Sequence, residues 1–251
     1  MQKVLVTGGA GLIGSATRRI LAGKYEMSCL DIKAVEGMPS HVADIGDLDA
    51  ILPAFEGIDA VVHLAFLIEG PWEDMLRINV AGTYNVYEAA RRAGVKRMVS
   101  ASSGTVAQGY SLDEPYKSII DGNYDNVPES WPMVTTDMPY RPDRMYACTK
   151  VWLETLARYY ADAHDISSVC LRFGRVWAED RPMRGVRDYS RWVSQRDAAQ
   201  GIERSLDKPP NEKYIVVNIG SNNKWGTVDL SYSKQAIGFE PLDSADAYIE
   251  K

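Results

Sequence analysis

TGGAGLIG, Thr7 to Gly14, decides how the rest of this chain is read. It follows the apolar run KVLVT (Lys3–Thr7) and opens a stretch, Leu12–Ala22, with apolar residues at Ile13, Ala16 and Ile20. A strand, three glycines at Gly8, Gly11 and Gly14, and then a helix match a dinucleotide cradle. Gly8 permits the tight turn, Gly11 lets the backbone approach a pyrophosphate, and Gly14 allows close helix–strand packing. The phosphates would rest on free N–H groups at the helix start, around Leu12 and Ile13, where the helix dipole also favours negative charge.

The next strand reads Met27–Leu30 and runs into Asp31, 17 residues past Gly14. A carboxylate there accepts hydrogen bonds from ribose hydroxyls and repels a 2′-phosphate, which selects NAD over NADP; Lys33 is a weaker opposing charge. Further strands are expected at His41–Ala43, Ala60–Ala65, Lys96–Ala101, Ser168–Phe173 and Tyr214–Ile219. Helices are expected at Leu48–Phe55, Trp72–Ala93, Tyr146–His164, Gln195–Ser205 and Leu230–Ile237. Strands alternating with helices of this length predict an α/β fold, a Rossmann-type doubly wound parallel sheet. Residues 1–173 are assigned to the NAD-binding unit, and residues 174–251 to a small substrate-binding lobe interleaved with it. Between them, Gly104–Arg144 carries five prolines and little periodicity beyond a helical turn at Tyr116–Ile120. Its aromatic residues Tyr110, Tyr116, Tyr124, Trp131 and Tyr140 predict an ordered cover over a site.

YACTK puts Tyr146 and Lys150 four residues apart, one above the other on a single helix face. A phenol with a pKa near 10 is a poor base at neutral pH, and an adjacent ammonium favours the phenolate. Lowering it to about 7 takes roughly 4 kcal/mol, which Lys150 and an oxidised nicotinamide could supply between them. Ser103, at the end of the fifth strand, lies on the carboxyl edge of the sheet, where such folds bind ligands. Its hydroxyl could hold a substrate carbonyl or alkoxide. Tyr146, Lys150 and Ser103 are therefore the candidate catalytic residues. His63, inside an apolar strand, is read as a core residue, and Cys148 as a packing residue.

The composition of the 251 residues (45% hydrophobic, 25% charged) is that of a globular chain without a spanning helix. A net charge of −6 and a pI near 5.2 argue against nucleic acid or an anionic membrane as partner. Cys29, Cys148 and Cys170, with His41, His63 and His164, offer no metal-ligand spacing and no disulfide framework. The expectation is a cytoplasmic enzyme without a metal.

At these motifs the chain resembles the extended short-chain dehydrogenases/reductases of the NAD-dependent epimerase/dehydratase family. The resemblance rests on TGGAGLIG, Asp31, Ala43–Asp44, HLA at His63–Ala65, Asn79, SASSG around Ser103, YACTK, and LRFGRVW at Leu171–Trp177. It implies that Asp44 and Ile45 flank the adenine, that Leu64 and Ala65 line the cofactor, and that Asn79 supports the catalytic residues. It also implies that Tyr146 and Lys150 bind the nicotinamide ribose region as well as moving a proton, and that the two long helices pack against a second copy in a homodimer. Within the family, the stretch NNKWGTVDLSYSKQAIGFEPLDSADAY is most similar to uronate dehydrogenases, which oxidise hexuronic acids at C1. By that likeness Arg184 holds a substrate carboxylate, as a guanidinium can through two parallel bonds. The chain departs from the uronate enzymes at Gly104 and Thr105, where they carry Asn and His, and at Arg175, where they carry a substrate-binding serine. Thr105 and Arg175 are candidate substrate contacts on that account. The segment between Ser103 and Tyr146 is also longer here. A dehydrogenase of a small sugar, sugar acid or polyol is expected. The alternatives are an epimerase or dehydratase that oxidises transiently, and a non-catalytic NAD-binding protein. With 101 residues after Lys150, room for a nucleoside diphosphate is small.

Overall fold

The computed structural model describes residues 1–207 and 213–249. Its elements are β1 (Lys3–Thr7), α1 (Leu12–Ile20), β2 (Glu26–Asp31), β3 (Ser40–Val42), α2 (Leu48–Ile51), β4 (Ala60–His63), α3 (Trp72–Met75), α4 (Thr83–Ala93) and β5 (Arg97–Ser103). They are followed by α5 (Tyr116–Asp121), α6 (Met145–His164), β6 (Ser167–Phe173), α7 (Val186–Tyr189), α8 (Gln195–Asp207), β7 (Tyr214–Ile219) and α9 (Ser231–Ile237). The strands form one sheet in the order β3-β2-β1-β4-β5-β6-β7, and every pairing is parallel.

Strand residues alternate between two cores, as a sheet covered on both faces requires. Val4, Val6, Val62, Val99 and Leu171 pack with Ala198 and Ile202 of α8 and Ile237 of α9. Leu5, Val61, Met98 and Cys170 face the other way, onto Val86 and Tyr87 of α4 and Leu153, Ala157 and Tyr160 of α6. The fold is the doubly wound Rossmann type. The order reverses direction between β1 and β4, which opens a crevice at the carboxyl ends of the strands.

Residues past Gly174 divide their work. β7 is the seventh strand of the main sheet and α8 lies against α1, whereas Arg175–Ser194 and Ser221–Leu230 stand over the carboxyl edge.

Two stretches differ from a regular reading. Trp72–Ala93 is not one α-helix, because Leu76–Gly82 winds as a π-helix between α3 and α4. π turns of this kind recur at functional sites. Within it, the Asn79 side chain accepts from Leu67 N (2.8 Å) and donates to Leu67 O (2.8 Å) and Thr149 Oγ1 (3.2 Å). The segment Gly104–Leu112 winds as a 3₁₀-helix started by Ser103, whose Oγ accepts from Thr105 N.

The rest of the cover is tied down at several points. Val134 bridges Val228, the Trp131 indole donates to Gly226 O, and Tyr124, Trp225 and Trp131 form a ring stack. No helix among the described residues is long and apolar enough to cross a membrane.

Candidate active site

One cavity of about 600 Å³ runs along the carboxyl edge, from the Gly8–Gly14 turn past Ser103 to Val134 and Val228. At the first end the glycines are demanded by space. Gly8 has φ +73°, and a Cβ on it would stand 2.6 Å from Ala65 N; a Cβ on Gly14 would stand 2.4 Å from Gly8 O. Gly11 meets only Gly8 O, at 3.2 Å, so its other side is open to the cavity. No side chain caps the first turn of α1, leaving N–H groups near Leu12 and Ile13 for an anion. Asp31 ends β2, where its carboxylate accepts from Ala10 N (2.9 Å) and Lys33 N (3.2 Å). An uncapped helix start beside a cradle too tight for side chains, with an acid at the next strand end, fits a dinucleotide.

Other residues expected at the cofactor are placed more unevenly. Leu64 lines the cavity, and Ala65 backs the Gly8 turn and donates its N–H to Thr7 Oγ1. Asp44 accepts from Gly46 N (2.8 Å) and Arg77 (2.5 Å), which hold its carboxyl below the usual range against its partial burial. Ile45 is packed in the core beside Leu30 and Val86. Asn79 is fully buried and does not line the cavity, so its contacts hold the Leu67 loop onto α6.

The chemistry-bearing groups meet in the middle. Ser103 and Thr105 share a hydrogen bond (2.9 Å), and Ser103 and Tyr146 line the same cavity. Burial pushes the Tyr146 phenol up to about 12; the nearby Ser103 hydroxyl and the positive charge of Arg144 work against that rise. Lys150, expected to supply a lowering charge, follows Tyr146 by one turn of α6. Its amine lies 5.6 Å from the Tyr146 ring, donates to Ala101 O (2.5 Å) and sits 3.2 Å from the centre of the Phe66 ring. Full burial drives the Lys150 amine well below its ordinary range, opposed by Cys170 and Glu154. His63 is a core residue, bonded to Thr7 (2.8 Å) and held to about 3 by burial and then by Lys150.

Behind these groups Glu154 accepts from both Nε (2.9 Å) and Nη2 (2.8 Å) of Arg172, from Tyr140 (2.9 Å) and from Ser102. This buried cluster ties α6, β5, β6 and the cover together.

At the far end the candidate arginines separate. Arg184 is outside the cavity lining, its guanidinium over the Trp177 ring at 5.3 Å and its N–H on Asp188. Arg175 lines the cavity and pairs with Asp188 (3.3 Å). Arg191, which also lines it, bonds Gln108 while its Nε has no partner among the described residues. Burial, then the neighbouring Arg175, lowers Arg191 to about 10. Gln108, Arg144, Arg191, Tyr116 and Phe66 are cavity residues that no spacing in the sequence singles out as a set.

Comparison with known proteins agrees with this geometry. The model of the NAD dependent epimerase/dehydratase family matches residues 4–195. The L-arabinose 1-dehydrogenase (NAD(P)(+)) of Haloferax volcanii is 33% identical over 260 residues, spanning 100% of both chains. The uronate dehydrogenase of Pseudomonas syringae pv. tomato is 30% identical, over 99% of this chain and 85% of its own length. The crystal structure of uronate dehydrogenase from Agrobacterium tumefaciens superposes with a TM-score of 0.82 at 31% identity, covering 99% of this chain and 87% of that one. The chain belongs to the NAD dependent epimerase/dehydratase family and is an NAD-dependent enzyme of the short-chain dehydrogenase/reductase type.

Proposed function

We propose that this protein oxidises a hydroxyl-bearing carbon of a small sugar, sugar acid or polyol. The observation that carries the reading is that Ser103 and Tyr146 line one cavity whose other end is the glycine cradle. NAD, when bound, supplies the hydride acceptor. Ser103 Oγ and Tyr146 Oη hold the substrate hydroxyl, and Tyr146 Oη takes its proton as general base. Thr105, bonded to Ser103, fixes the direction of the serine lone pairs. Gly8, Gly11, Leu12, Ile13 and Gly14 would hold the pyrophosphate, and Asp31 the adenosine ribose. Asp31 also favours NAD over the 2′-phosphorylated form.

Arg191, with Arg175 beside it, is the better candidate than Arg184 for an anionic substrate group, because its Nε faces no partner. The enzyme is further proposed to work as a homodimer through α4 and α6, whose Tyr84, Trp152 and Tyr159 are exposed. Its free cysteines fit a reducing compartment such as the cytoplasm.

The direct experiment mixes the protein with NAD and galacturonate, glucuronate, neutral aldoses or polyols, and follows NADH. We expect NADH from at least one class and a loss of about 10²–10⁴-fold in the Tyr146→Phe variant, the usual worth of a positioned base. NADH formation at an undiminished rate in that variant would refute the assignment. Replacing Arg191 with Leu should raise KM for the acids and leave neutral sugars unchanged; an equal effect on both would remove the anion contact.

A further inference from the structure

Lys150 has an unusual neighbour. The face of the Phe66 ring lies 3.2 Å from its Nζ, and the same ring stands edge-on to Tyr146 (centroids 5.9 Å apart, planes at 87°). The amine's hydrogen-bond acceptor is Ala101 O, and the residue is 2% exposed although it belongs to the cavity wall. Phe66, itself a cavity residue and only partly buried, therefore stands against the amine in the same cavity wall. An aromatic face attracts an ammonium most strongly where water is excluded, so this contact holds the closed arrangement. The backbone beside the ring is pinned, because Asn79 binds both the N–H and the carbonyl of Leu67.

We propose that Phe66 is a positioning residue that shields Lys150 in the free enzyme and must turn aside before the nicotinamide-ribose end of NAD can reach the amine. The proposal rests on the cofactor reading above. It separates the two ends of the cofactor. On that reading the adenosine diphosphate half is held at Gly8–Gly14 and Asp31, whereas the other end competes with the ring for Lys150. Phe66 therefore lowers affinity for the whole dinucleotide and has no effect on its adenosine half.

The test is calorimetric titration of the wild type, Phe66→Ala and Phe66→Leu with NAD and, separately, with ADP. Phe66→Leu keeps apolar bulk without a π face and guards against a folding artefact in the alanine variant. We expect NAD to bind about tenfold more tightly to both variants, equivalent to about 1.4 kcal/mol, with ADP affinity unchanged. NAD binding that is equal or weaker in the variants, with ADP still bound, would overturn the role of Phe66 and leave the cofactor reading intact. Failure of all three proteins to bind either ligand would overturn the cofactor reading and this inference together.

Discussion

Tyr146 is held protonated well above neutral pH by its own burial, and the groups that pull it back are Ser103 and Arg144. This has a kinetic consequence with a definite sign. A base that must lose its proton makes the oxidation rate fall as pH drops below its working pKa. Removing the Arg144 charge disfavours the phenolate, so Arg144→Gln moves that limb to higher pH. A profile of log(kcat/KM) against pH checks it, and an unshifted or acid-shifted limb would count against the role given to Arg144. Arg144 is also paired with Asp143, which makes the displacement smaller than a free guanidinium would cause. Tyr146 and Lys150 were legible as a pair from their four-residue spacing. That the amine turns to Ala101 and Phe66 was not, since Phe66 is brought to it by the loop after β4.

Among the elements, α6 carries the most. It presents Tyr146 and Lys150 to the cavity and, one turn beyond Lys150, Glu154 to the buried Arg172. Both partners of this pair are almost completely buried, with side chains 0% and 3% exposed. Removing one partner strands the other without compensation, so Glu154→Ala should cost about 3–5 kcal/mol. The joint replacement Glu154→Leu with Arg172→Met should cost clearly less, because it strands no charge. Urea unfolding of the three proteins tests both statements; a single variant as stable as the wild type contradicts them. The cover Gly104–Arg144 was readable as ordered from its aromatic content. Its attachments to Gly226 and Val228 were not, because each depends on a partner more than 90 residues away.

At the scale of the whole molecule, α4 and α6 lie side by side on one face of the sheet, and their outer sides carry exposed aromatic rings. Tyr84, Trp152 and Tyr159 are 44%, 38% and 56% exposed, and the Trp152 indole donates to Val80 O, in the π turn that leads into α4. A second copy packed there would cover them as a two-fold interface does. Light scattering should give twice 27.9 kDa for the native protein and 27.9 kDa for the double variant Tyr84→Asp, Tyr159→Asp. A native mass of a single chain would rule the dimer out.

Local patterning alone determined the parallel α/β architecture, and it alone pointed to the glycine cradle, Asp31, and Ser103, Tyr146 and Lys150 as the candidate chemical set. These features depend on neighbours in the chain or on strand ends, and strand and helix periods are written locally. Only the tertiary structure decided which arginine faces the cavity. Arg175, Arg184 and Arg191 are alike in sequence, and what separates them is how their own segment folds back on Asp188 and Trp177 and how Gln108 is brought to Arg191 from the cover. Tertiary structure likewise decided that Phe66 covers Lys150, because apolar rings pack where space and charge allow, and spacing along the chain carries no record of that.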